Sequence, residues 1–239
     1  MAVFFFITFS AYGFYELIPQ TLAFIIMTII TAFTVVIAVN YNQQIIALFG
    51  MIGAYAIPFL LSNNSGNYVF LFSYMLIING GLLAIAIKRY WKPVMYSSIG
   101  ISWLIFFGWC LGKYQSEQDL SMALLFGLLF YLVFYTSIII YKLRHTLKFK
   151  SPDIALLILN GLIFYGIGYK LINEHPQGDD YLGLFTVFNA AIHFAAALFI
   201  VKKVKADVLL FRFICGLILL FLTLCVPVQF NGSPVTVCG

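Results

Sequence analysis

The chain has 239 residues, 63% of them hydrophobic and only 9% charged, against about 25% charged in an average soluble domain. A soluble fold of this length needs a polar exterior, which this composition lacks, so lipid must be the outer solvent. The formal charge of +5 is no nucleic-acid signature, because the Lys and Arg residues cluster beside apolar runs, where cytoplasmic loops of membrane proteins carry them.

The first apolar run, 2–15, is short for a crossing of about 30 Å of hydrocarbon. It lacks a basic leader and a small-residue cleavage site, so it reads as part of a longer helix rather than a signal peptide. Eight longer runs follow, at 18–39, 44–61, 68–87, 93–111, 120–141, 153–172, 181–201 and 207–228. They are apolar on all sides and about twice the length of a barrel strand, whose residues would alternate in polarity. Of the two architectures that satisfy every backbone group in lipid, this leaves helices. The prediction is an all-α fold: a polytopic transmembrane helix bundle of about nine spans, forming a single transmembrane domain with no separate soluble part.

Small residues let helices approach closely in lipid. In the run 44–61, Ala47, Gly50, Ala54 and Pro58 form one stripe with Gly53 adjacent, and Pro58 is expected to kink or end that helix. Gly80 and Gly81 mark a bend or a tight crossing in 68–87, a discontinuous transporter helix being the sharper alternative. Gly108 and Gly112 make a GxxxG that reads as an intramolecular packing face ahead of a dimer face.

Connector charge gives orientation. Lys88, Arg89 and Lys92 form a basic connector, and Lys113, Glu117 and Asp119 a net acidic one. Next come Lys142, Arg144, Lys148 and Lys150 against Asp153, then Glu174, Asp179 and Asp180 opposed by Lys170, then Lys202, Lys203 and Lys205 before Asp207. This alternation suits one crossing per helix, with the three basic connectors cytoplasmic. Counting outward places the N-terminus in the cytoplasm and the C-terminus outside.

Ionisable groups within a span are the default functional candidates. No Asp or Glu lies mid-span, which argues against a proton- or sodium-coupled carrier. His193 and Asn189 stand one turn apart on one helical face and could line a polar pocket with Asn160 and Asn79. The alternative is interhelical hydrogen bonding, worth about 0.6 kcal/mol on average. Arg212, five residues into the last span, either snorkels to the interface or binds an anionic headgroup or substrate. The outer loop bearing Glu174, His175, Asp179 and Asp180 matches no metal motif and reads as a hydrophilic turn; His145 reads as solvated.

Cys110, Cys215, Cys225 and Cys238 show no CxxC spacing. A Cys225–Cys238 pair would need an oxidising outer compartment, and free thiols are the preferred reading. Asn63-Asn64-Ser65 and Asn231-Gly232-Ser233 fit the glycosylation pattern but read as turns. With no nucleophile elbow, phosphate loop or HExxH, no catalytic residue, metal site or cofactor is predicted. The expected partners are the lipid bilayer and other membrane proteins, not nucleic acid.

A run of positions from 47 to 93 carries a resemblance: Gly50, Gly53, Pro58, Leu60-Leu61-Ser62, Gly66-Asn67, Leu71-Phe72-Ser73-Tyr74, Asn79, Gly81, Arg89, Trp91 and Pro93. With the tail residues Phe221-Leu222-Thr223, Pro227, Gln229, Gly232 and Val235-Thr236, it resembles the predicted bacterial membrane proteins catalogued as domain of unknown function 2339. The resemblance implies a bacterial inner-membrane protein with many spans, no established activity and no catalytic residues to carry over. It also implies further helices before Met1 and after Gly239. Similar members continue past the Val-Thr with a Trp and a Glu, whereas here Ser233-Pro234 precedes Val235 and the chain stops at Cys238-Gly239, as a fragment would.

The function expected first is a non-enzymatic cell-envelope component, a scaffold or partner-binding subunit. The second expectation is a transporter or lipid-handling protein with the polar pocket above. The third is a membrane-embedded enzyme on lipid-linked substrates, using His193 or the outer acidic loop.

Overall fold

The computed structural model describes residues 2–61, 68–89, 91–144, 149–203 and 208–230. His145, Lys148, Lys205, Asp207, Cys238 and both glycosylation-like strings lie outside the described residues. Among the described residues every regular element is an α-helix, nine in all: α1 Ala2–Gly13, α2 Gln20–Asn40, α3 Gln44–Leu60, α4 Tyr68–Lys88, α5 Lys92–Gly112, α6 Ser116–Arg144, α7 Ser151–Asn173, α8 Gly178–Lys203 and α9 Val208–Phe230. Seven are long and apolar enough to cross a membrane, α1 and α3 being the shorter two. The outside is apolar: Leu104 and Ile77 are each 73% exposed and Phe49 70%, a surface that hydrocarbon tolerates and water does not.

The helices gather into two compact units, Met1–Ile105 and Phe106–Gly239. In the first, α2 and α3 form a hairpin. α2 stops because Asn42 adopts the left-handed region at φ 54°, which Asn tolerates better than most residues. The Asn42 N–H then bonds the Val39 carbonyl and the Gln43 N–H the Ala38 carbonyl, the paired C-terminal bonds of a Schellman motif. The returning helix presents the expected small stripe, Ala47, Gly50 and Ala54, all buried. A Cβ at Gly50 would stand 3.2 Å from Thr34 Cγ2 of α2, so the close approach depends on that glycine. Ala23, Met27, Ile57, Leu61 and Tyr74 form the core, which Phe5, Phe9 and Tyr12 of α1 cover.

Two polar contacts align the ends of these helices. The Gln20 side-chain amide, at the start of α2, donates to the Leu61 carbonyl at the end of α3. The Arg89 guanidinium, just past α4, donates at 3.2 Å to the Val39 carbonyl at the end of α2, where the helix dipole favours a cation. α3 therefore runs between the same two levels as α2. Its 17 residues extend about 26 Å, at the lower limit for a crossing.

In the second unit α8 pairs with α9, α7 with α6 and α8. Carboxylates start two of these helices: Asp119 accepts the Gln115 N–H and Asp153 the Lys150 N–H, each at 3.0 Å. This capping carries α6 a turn further into its polar connector than hydropathy indicates. The Tyr114 hydroxyl, between α5 and α6, donates at 3.1 Å to the Leu171 carbonyl in the last turn of α7. Cys225 Sγ near the end of α9 lies 3.7 Å from the Gly183 carbonyl near the start of α8. Connectors one hairpin apart thus share a level, as alternating crossings require.

Two glycine expectations are corrected. α4 runs unbroken through Gly80 and Gly81, and a Cβ at either would meet nothing within 4 Å among the described residues, so within them these glycines mark neither a tight crossing nor a discontinuous helix. A Cβ at Gly108 or Gly112 also meets nothing within 4 Å among the described residues, so their GxxxG makes no packing face there. In the second unit, the glycines that admit neighbours include Gly161 and Gly168 of α7. A Cβ there would lie 3.3 Å from His193 Nε2 and 2.4 Å from Phe185 Cζ of α8, respectively.

Candidate functional site

Each unit buries a polar node that joins several helices. In the first, Tyr55 of α3, Asn79 of α4 and Ser102 of α5 form a triangle with all three side chains buried. The Tyr55 hydroxyl donates to Asn79 Oδ1, and Asn79 Nδ2 donates to Ser102 Oγ at 3.1 Å. The Tyr55 and Ser102 hydroxyl oxygens stand 3.0 Å apart. Three helices are fastened by one amide, and both ends of that amide are engaged.

The second node centres on His193 of α8. Its Nε2 stands 3.5 Å from the Tyr131 hydroxyl and its Nδ1 3.3 Å from the Tyr135 hydroxyl, both of α6. A neutral imidazole has one donor and one acceptor nitrogen, and each phenol can take the complementary role. The ring face stacks on Phe221 of α9, centroids 5.5 Å apart and 7° from parallel. Asn160 Nδ2 of α7 donates at 3.1 Å to the Tyr131 carbonyl, so Asn160 and His193 meet the same residue. Asn189 turns back on its own helix, donating to the Phe185 carbonyl at 2.8 Å, and its buried Oδ1 has no hydrogen-bond partner among the described residues.

Of the four residues read from sequence as one pocket, Asn160, Asn189 and His193 thus belong to the second unit and Asn79 to the first. Arg212 is exposed in the second turn of α9. In the α7–α8 connector, His175 Nδ1 accepts the Gln177 N–H at 3.2 Å and Lys170 pairs with Glu174 at 3.7 Å, both turn-stabilising contacts. Sequence reasoning missed Tyr55, Ser102, Tyr131 and Tyr135. The last two had a signal, since two tyrosines one turn apart inside an apolar span place two hydroxyls on one face.

Hollows among the described residues include two of substantial volume. One of about 510 Å³ in the first unit is lined by Phe5, Phe9, Thr31, Thr34 and Gly50. The other, about 720 Å³ in the second unit, lies among α6, α7 and α8, and neither polar node opens into it.

Long apolar helices with exposed apolar faces, joined through buried polar side chains, define a polytopic α-helical membrane protein. The chain belongs to the family of predicted membrane proteins DUF2339, whose family model matches residues 1–238. The likeness read at the two ends therefore extends through the middle. No curated protein and no solved structure matches the chain.

Proposed function

We propose that the protein is a non-enzymatic component of the bacterial inner membrane, a scaffold or partner-binding subunit, with its N-terminus cytoplasmic and its C-terminus outside. The observation that carries this reading is the Tyr55–Asn79–Ser102 triangle, in which the polar atoms of an intramembrane amide fasten three helices. A transport or catalytic site would instead leave such groups facing a space that a substrate can enter. The orientation rests on the basic connectors, with Arg89 closing one of them onto the end of α2.

The test is reconstitution in liposomes, with solute flux and lipid exchange measured against empty vesicles. The reading expects no flux above background. Flux that His193→Ala abolishes without unfolding the protein would overturn it. The alternative, a transporter or lipid-handling protein, keeps Asn160, Asn189 and His193 as its candidates, because the Asn189 Oδ1 atom is buried without a partner among the described residues.

A further inference from the structure

The 720 Å³ hollow of the second unit is a groove with a polar end and an apolar end. Its walls are Leu124 and Leu128 of α6, Phe164 of α7 and Phe188 of α8. Its mouth carries Ser121, His175, Gln177 and Tyr181, at the level of the α7–α8 connector. From Leu120 to Leu128 the α6 wall descends about 12 Å, against about 15 Å for one leaflet of a 30 Å core. A groove one leaflet deep, greasy below and polar at the membrane surface, has the profile of one phospholipid chain with its headgroup.

Charge at the mouth selects among headgroups. The α5–α6 and α7–α8 connectors with their flanking turns carry five acidic side chains against the two basic ones of Lys113 and Lys170. Glu174 is paired with Lys170 and Asp119 caps α6, while Glu117, Asp179 and Asp180 are exposed. A net anionic headgroup is repelled there, and an ammonium group is attracted. The groove is also preformed. Gly168 lets Phe185 sit against α7, where it stacks on Tyr165 at 5.8 Å and 6° from parallel and meets Phe164 edge-on.

We propose that this groove binds one amine-bearing phospholipid of the outer leaflet, an acyl chain among Leu124, Leu128, Phe164 and Phe188 and the ammonium toward Asp179 and Asp180. This goes beyond the scaffold reading and rests only on the orientation proposed with it, which puts the α7–α8 connector outside; a scaffold need not hold a lipid and a lipid carrier would release one.

The experiment reconstitutes the protein in vesicles of phosphatidylethanolamine and phosphatidylglycerol, extracts it in mild detergent and quantifies retained lipid by mass spectrometry. Phosphatidylethanolamine is expected to be enriched over its share of the vesicle. Leu124→Trp, filling the groove, removes most of it, whereas Met122→Trp, on the exposed side of α6, does not. Asp179→Asn with Asp180→Asn removes the headgroup preference while a lipid is still retained. A benzophenone side chain at position 124 supplies a second readout and is expected to crosslink to lipid. Equal retention by Leu124→Trp, enrichment of phosphatidylglycerol, or a crosslink to protein would each overturn the proposal.

Discussion

The Tyr74 hydroxyl of α4 donates at 3.2 Å to the Ala54 carbonyl of α3, the acceptor that Pro58 leaves without its helical partner. Proline has no N–H, so the carbonyl four residues earlier loses its bond, and in hydrocarbon no water replaces it. α3 accordingly continues through Pro58 to Leu60 rather than stopping there. Tyr74→Phe should cost about 1 kcal/mol, the usual worth of such a bond. In a Pro58→Ala background the N–H returns and the cost of Tyr74→Phe should shrink. A double-mutant cycle by unfolding in detergent measures this coupling, and additive costs would refute the link.

Glycine substitutions along the chain should differ in sign. Gly168→Ala places a Cβ 2.4 Å from Phe185 Cζ, where the ring is held by Tyr165 and Phe164, and should destabilise by about 1–3 kcal/mol, as overpacking does. Gly161→Ala, at 3.3 Å from His193 Nε2, should cost less. Gly80→Ala and Gly81→Ala meet open space and should stabilise by about 0.5–1 kcal/mol, the helix penalty of glycine. Thermal unfolding of the four variants ranks them.

These glycines also show what sequence could and could not reveal. The α3 stripe was legible because its small residues repeat at helical spacing and pack on the neighbouring helix, α2. Gly161 and Gly168 were not, because a single glycine in an apolar run is silent until its aromatic partner is known, and those partners sit on α8. Gly108 and Gly112 had the right spacing but meet nothing within 4 Å among the described residues. The nine described helices were legible from hydropathy, and seven of them are long and apolar enough to cross; α3 is shorter, and only its end contacts, through Gln20 and Arg89, set it level with α2. Asn79 stood out as a polar group in an apolar run. Its partners Tyr55 and Ser102 did not, since tyrosine and serine are common in spans and their convergence depends on how three helices rotate.

Asn79→Leu removes the amide from the triangle and should cost about 0.6–1.7 kcal/mol, the range for hydrogen bonds between membrane helices. Ser102→Ala should cost less, because Tyr55 and Asn79 still bond each other. Both follow from equilibrium unfolding in micelles. A loss of solute flux or lipid exchange with unchanged stability would instead give Asn79 a functional role.

Tyr114 gives the account a pH dependence outside the spans. Burial, and then the negative charge of Glu174, push its phenol from the ordinary 10.0 up to about 12. The folded state keeps this proton where the unfolded chain releases it, so its stabilising contribution is complete below pH 10 and is lost as pH rises from about 10 to about 12. Tyr114→Phe should lower stability at pH 8, by losing the bond to Leu171, and should flatten the decline between pH 10 and 12. Melting curves at pH 8, 10 and 11.5 separate the two effects.

The central claim is a chain that threads the membrane so that its basic and acidic connectors lie on opposite faces. The most direct measurement is labelling by a membrane-impermeant thiol reagent in a cysteine-free background, with single cysteines at Tyr41, Gln115, Lys150 and Gln177. In intact spheroplasts positions 115 and 177 should label, and 41 and 150 only after permeabilisation. Labelling of 150 and 177 from the same side would contradict the account.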